Sequence, residues 1–112
     1  MIRDKLVLGF DTSAAHCAAA LLLNDNLLGI ISKDMLKGQA ETIGPMVLNL
    51  LETRQVDIQN IKRIGVGIGP GNFTGIRIAV SFARGLGLSL QIPVIGVDSF
   101  EATYLGNDGN AI

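Results

Sequence analysis

Apolar and polar positions divide this chain into two regimes. From Lys5 to Asp11 the residues alternate, with Leu6, Leu8 and Phe10 on one side and Val7, Gly9 and Asp11 on the other, which is the period of a strand. Asp11-Thr12-Ser13 carries turn chemistry, and Ala14 to Leu23 forms a second apolar run of strand length. Asn24-Asp25-Asn26 is a hairpin signal, and Leu27 to Ser32 predicts the returning strand. The period then changes. Ile43, Met46, Val47, Leu50 and Leu51 follow the i, i+3, i+4, i+7, i+8 spacing of an amphipathic helix, with Leu48 off the main stripe. Pro45 suits the first turn of that helix better than its interior. Lys62 to Ile68 predicts a fourth strand, Thr74 to Leu90 a second helix and Pro93 to Val97 a short fifth strand. Asp98 or Ser99 is placed to cap a third helix, with Glu101 completing a capping box with Asp98. The last stretch, Gly106-Asn107-Asp108-Gly109-Asn110, reads as a polar turn.

The predicted order is therefore β-β-β-α-β-α-β-α. A meander followed by alternating helix and strand implies an α/β fold with a mixed five-stranded sheet and helices packed on it. This is the order of the ribonuclease H-like fold, which also forms each lobe of the actin-like ATPases and sugar kinases. The order leaves function open.

The chain has 112 residues, enough for one compact domain. Hydrophobic residues are 48% and charged ones 17%, a composition that argues against disorder. No uncharged apolar run reaches the roughly 18 residues of a membrane span, and the greasiest segment, 76–90, carries Arg77 and Arg84. The first residues run directly into a strand without a signal-peptide pattern. The single cysteine, Cys17, cannot form an internal disulfide and suits a reducing compartment. A cytoplasmic protein is expected. Net charge is −1 with Lys and Arg scattered, and aromatic residues are 4%. Direct nucleic-acid binders show basic patches or stacking aromatics, so any link to RNA is expected to run through a partner.

Two segments invite chemistry. The run Gly69-Pro70-Gly71-Asn72-Phe73-Thr74-Gly75-Ile76-Arg77 joins a predicted strand to a predicted helix. Glycines at such a turn permit positive φ or close approach, and helix-start amides are free donors. The loop either holds an anion or forms a rigid packing corner. Its glycine spacing is one residue too long for G-x-G-x-x-G, and no Gly-Lys-Ser/Thr follows. Thr74 is a candidate N-cap. The turn Asp11-Thr12-Ser13 either positions a hydrated metal and cradles phosphate or is a turn closed by the Asp11 carboxylate.

The second helix carries a small-residue stripe, Gly75, Ala79, Ala83 and Gly87, and a narrow polar stripe, Arg77, Ser81 and Arg84. A helix so widely apolar is covered on more than one side. The small stripe faces either the sheet or a protein partner shared with the first helix. His16 and Cys17 alternate on a strand, so they point apart and form neither a dyad nor a usual zinc site. A ribonuclease H-type nuclease needs converging carboxylates. Asp11 is well placed for one, but the fourth strand ends in Gly67 and Gly69.

Together, Leu8-Gly9-Phe10-Asp11-Thr12-Ser13, the segment Gln39 to Val47 with Pro45-Met46, the 69–77 loop and Pro93-Val94-Ile95-Gly96-Val97 resemble the TsaB (YeaZ) family. The family loop reads Gly-Pro-Gly-Ser-Phe-Thr-Gly-[Ile/Val]-Arg, with Asn72 here in place of serine. The resemblance implies an actin-like ATPase fold. It also implies a non-catalytic role in forming threonylcarbamoyladenosine on tRNA, with tRNA contacted only indirectly. The partners it implies are a TsaD-like paralogue that carries the metal and the transferase chemistry, and a TsaE-like ATPase. The resemblance implies pairing with the paralogue through the N-terminal helices and, alone, a tendency to form homodimers through the same helices; older labels call such proteins glycoproteases. No cofactor is expected in this chain; ATP and metal belong to the partner subunits.

Three departures refine that expectation. Where the paralogue has a His-x-x-x-His pair at the start of the first helix, this chain has Gln39 and Ile43, so those imidazole ligands are missing. Where competent kinases have glycine in the first turn, this chain has Ser13. The family has a second lobe, so residues 1–112 are expected to be one N-terminal lobe without it, binding nucleotide weakly if at all. Asp11, Thr12 and Ser13 are then a vestigial nucleotide site. The expected interface is Ile43, Met46, Leu50, Ile76, Ala79, Val80 and Ala83, rimmed by Arg77 and Arg84. Two other readings stand beside this one: a nucleotide-binding lobe of an actin-like ATPase or kinase and, more remotely, a glycoprotease-type peptidase.

Overall fold

The computed structural model describes residues 5–69 and 73–97. Five strands, β1 (Leu6–Asp11), β2 (His16–Leu23), β3 (Asn26–Asp34), β4 (Ile61–Gly67) and β5 (Val94–Val97), form one sheet in the order β3-β2-β1-β4-β5. The first two pairings are antiparallel, and β1-β4 and β4-β5 are parallel. The predicted mixed five-stranded sheet is present. The cap expected at Asp98, Ser99 and Glu101, and the third helix with it, lie outside the described residues.

The hairpin between β2 and β3 is tight because Asn24 and Asp25 both take positive φ, 51° and 71°. That is the backbone of a two-residue type I′ turn, which asparagine and aspartate tolerate better than most residues. The Asn24 side chain also accepts a bond from the Lys5 N–H at 2.8 Å, tying the hairpin to the start of β1. Strand β2 begins at His16 rather than Ala14, because residues 13–15 form the turn, where the His16 N–H donates to Ala14 O. Strand β3 runs two residues past the predicted Ser32.

Helices α1 (Gln39–Thr53) and α2 (Phe73–Leu90) both pack on one face of the sheet, α1 over β2 and β3, α2 over β4, β1 and β5. The core lies between them and contains Leu8, Phe10, Cys17, Leu21, Ile43, Val47, Leu50 and Ile64. The Phe10 and Phe82 rings meet edge to face at 5.3 Å. Gly44 on α1 leaves the space in which the Phe82 ring approaches, 3.7 Å from where a Cβ would stand.

Two expectations at the helices are corrected. Pro45 lies in the interior of α1, because the helix begins six residues earlier, at Gln39. Proline there removes one helical bond, and its exposed position lets water reach the released group. Thr74 lies inside the first turn of α2, which starts at Phe73, so it is not the N-cap. Both helices end without glycine. Gln55 and Gln91 take φ of 56° and 58° there, and Val56 N–H donates to Leu51 O while Ile92 N–H donates to Gly87 O. This is the left-handed closure that usually selects glycine.

Candidate functional site

Alternation along β1 sends Leu6, Leu8 and Phe10 toward the helices and Asp11 to the opposite face. There the Asp11 carboxylate lies over Gly67 of β4, where any Cβ would collide with it. The same carboxylate closes the next turn. Ser13 donates both its N–H and its hydroxyl to Asp11 Oδ1, at 2.7 and 2.6 Å. Thr12 and Ser13 are fully buried. The Thr12 hydroxyl donates to the Gly75 carbonyl, and a Cβ on Gly75 would overlap the Thr12 carbonyl oxygen. The turn after β1 and the first turn of α2 are thus in backbone contact.

This corner closes one end of a crevice of about 450 Å³, bordered by Thr12, Ser13, Lys37, Gly38, Gln39, Thr74 and Gly75. The amino ends of α1 and α2 both border it. Gly38 precedes α1 with φ 94° and offers no side-chain cap. Thr42 Oγ1 donates back to Gly38 O at 2.9 Å. Gln39, buried, donates to Met35 O at 3.3 Å, and Ile43 points into the core. Among the described residues no group of three or more His, Cys, Asp or Glu side chains is placed to hold a metal. Cys17 is buried among apolar neighbours, and desolvation pushes its thiol pKa up.

Of the loop 69–77, Pro70, Gly71 and Asn72 lie outside the described residues. Gly69 needs its glycine, at φ 110°. Phe73, Thr74 and Arg77 are exposed, and Gly75 is the contact with Thr12.

The structure divides the expected interface. Gly75, Ala79, Ala83 and Gly87 face the sheet, where a Cβ on Gly87 would overlap Val94. Small residues are what let α2 lie this close to the strands. Ile43, Met46, Leu50, Ala79 and Ala83 are therefore core residues with no surface left for a partner, which corrects the expectation for those five. Ile76 and Val80 are half-buried at the edge of the packed face, and Arg77 and Arg84 are exposed. Sequence reasoning singled out Phe73 only as part of the 69–77 loop and missed Leu88; they are 80% and 82% exposed. A signal was present: at 100° per residue they share the angular sector of Arg77 and Arg84, and apolar residues on a polar stripe have no core to enter. Leu48, on α1, is 60% exposed.

Comparison with known proteins places this geometry in a family. The family model described as TsaD, tRNA N6-adenosine threonylcarbamoyltransferase, matches residues 19–111. The Escherichia coli tRNA threonylcarbamoyladenosine biosynthesis protein TsaB is 34% identical over 100 residues, covering 89% of this chain and 43% of its own length. The chain belongs to the TsaB (YeaZ) family. The solved YeaZ from Pseudomonas aeruginosa superposes with a TM-score of 0.82 at 32% identity, over 94% of this chain and 50% of that one. Thermus thermophilus RuvC, at 13% identity and a TM-score of 0.56 over 91% of this chain and 71% of that one, shares the ribonuclease H-like fold. This TsaB-family chain thus spans about half the length of these family relatives.

Proposed function

We propose that this chain acts in tRNA threonylcarbamoyladenosine biosynthesis as a non-catalytic lobe that binds and orders a TsaD-like paralogue through the outer face of its helices. The observation that carries the reading is the exposed row on α2, where Phe73 and Leu88 stand in one angular sector with Arg77 and Arg84. Exposed large apolar residues at both ends of a row that also carries two arginines suit an extended protein contact, and arginine is enriched at such interfaces. Ile76 and Val80 extend the apolar border, and Leu48 of α1 adds a further exposed side chain. A TsaE-like ATPase, ATP and metal belong on this reading to the other subunits, and tRNA is met through them. The same face accounts for homodimers when the paralogue is absent.

The turn after β1 supports a non-catalytic role. Its carboxylate and hydroxyls are engaged with one another and with α2. A direct test is titration of the TsaD-like paralogue onto the chain. Phe73→Arg and Leu88→Glu should each weaken binding about tenfold, roughly 1.4 kcal/mol, with unchanged melting temperature. Binding by both variants at the wild-type level would overturn the proposal.

A second reading, an ATPase or kinase lobe, is favoured by one observation: the crevice beside Thr12 and Ser13 is bordered by two helix amino ends. Ligand binding to the folded state raises its stability, so a rise of several degrees in melting temperature with Mg-ATP would favour it. A peptidase has less support. One solved relative from Pseudomonas aeruginosa is described as similar to a peptidase, but Cys17 is buried in the core and His16 alternates to the other face of β2.

A further inference from the structure

Three of the strand glycines have a reason inside the described fold. A Cβ at Gly29, Gly67 or Gly96 would crowd Arg54, Asp11 or Ile68. Gly9 and Gly65 have no such reason. A Cβ at Gly65 would meet nothing within 4 Å, and one at Gly9 only the Gly65 carbonyl oxygen at 3.7 Å, an ordinary contact. Neither takes positive φ. Glycine inside a strand weakens it and marks a place where another element or a ligand comes close.

Gly9 and Gly65 are partners on neighbouring strands. The register extends them into one rung across the sheet, Ile30-Ala20-Gly9-Gly65-Ile95. That rung lies on the face away from α1 and α2, since Leu8 and Ile64 turn into the core. Its centre is small and its ends are isoleucines, so this face is a trough running along the strands. Four strand spacings separate the isoleucines, about 19 Å, which is room for a helix about 10–12 Å across. Asp11 stands at one end of the floor and the exposed Arg63 at the other.

We propose that residues 98–105 form a short helix seated in this trough, antiparallel to β5. Val97 ends β5 at the Asp11 end, because β1, β4 and β5 are parallel and Val97 pairs with Gly67. A helix that starts there and turns back runs toward Arg63, four residues away along β4, or about 13 Å. Eight helical residues span about 12 Å. At 100° per residue, Phe100, Thr103 and Tyr104 share one sector, and Glu101 falls outside it. Gly106 follows as a helix stop. The direction also suits the helix dipole, with the amino end beside Asp11 and the carboxyl end beside Arg63. Such a helix accounts for the burial of Gly65 and Val97, which turn to this face with neither α1 nor α2 above them. The site is separate from the α2 row.

The chain has no tryptophan, so Phe100→Trp in the full chain gives a single reporter. Its emission in the folded chain should lie to the blue of its emission in urea, equally at all protein concentrations. Gly65→Val in the same background should move the emission back to the red and lower the melting temperature by several degrees. An uncovered strand would instead gain from valine. Gly85→Ala is the control: that glycine is exposed on α2 with equally empty space around it, and alanine there should raise the melting temperature. Water-exposed emission from folded Phe100→Trp overturns the proposal, and this reading does not depend on the folding of Gly65→Val. A blue shift lost on dilution overturns it in favour of a second copy in the trough. Emission and melting temperature that Gly65→Val leaves unchanged, or a melting temperature that it raises, also overturn it.

Discussion

The Thr12 hydroxyl donates to the carbonyl of Gly75, 63 residues further along the chain, and no Cβ fits between the two backbones. This one contact fixes the direction in which α2 leaves the sheet. It also fills the space between the turn after β1 and the start of the helix. Replacing Gly75 with alanine should cost on the order of 3 kcal/mol, because the new methyl overlaps the Thr12 carbonyl oxygen. Thr12→Val, which removes only the hydroxyl donor, should cost about 1 kcal/mol. Urea unfolding of the two variants checks the order; equal losses would mean that the close backbone approach matters no more than the hydroxyl bond.

Ala83 separates the core from the docking face. It is fully buried against the sheet, so Ala83→Arg should lower stability by more than about 3 kcal/mol by placing an unpaired charge in the core. Arg84→Glu, one residue further on the exposed side, should leave stability within about 0.5 kcal/mol and change partner binding instead. Melting curves and paralogue titrations of both variants distinguish the two positions.

Asp25 stands at φ 71°, where glycine carries no steric penalty. Asp25→Gly produces the Asn-Gly pair that type I′ turns prefer. It should stabilise the chain by a few tenths to about 1 kcal/mol, read as a higher denaturation midpoint at unchanged slope.

Gln91 closes α2 at φ 58°. Gln91→Gly removes the Cβ strain of the left-handed region while keeping the Ile92 N–H bond to Gly87 O. A gain of up to about 1 kcal/mol is expected. A loss would mean that the glutamine side chain holds the helix end.

The Cys17 thiol is buried, and desolvation raises its pKa in the folded chain. The neutral thiol is thus favoured by folding. Its contribution is fully present below the unfolded thiol pKa of about 8.5 and is lost as pH rises toward the raised folded value. The wild type should therefore lose stability above about pH 8.5 more steeply than Cys17→Ala. Unfolding free energies of both chains across that range test the sign.

By itself the sequence determined the elements and the family. Strand alternation in 5–11, the Asn24-Asp25 turn and the 3.6-residue spacing from Ile43 to Leu51 are local signals, written in neighbouring residues and set by backbone geometry. Gln39 and Ile43 likewise said, without any fold, that two imidazoles were absent. Tertiary structure alone decided which way each helix face turned. The small stripe of α2 was equally compatible with a sheet and with a partner, because both reward close approach. Only the distances from Gly75 to Thr12 and from Gly87 to Val94 assign it to the sheet, leaving Phe73, Arg77, Arg84 and Leu88 outside. That β3 ends the sheet among the described residues was hidden for the same reason. A strand's sequence shows which side chains are apolar, but whether its N–H and C=O groups find a neighbour depends on the order of strands in the sheet.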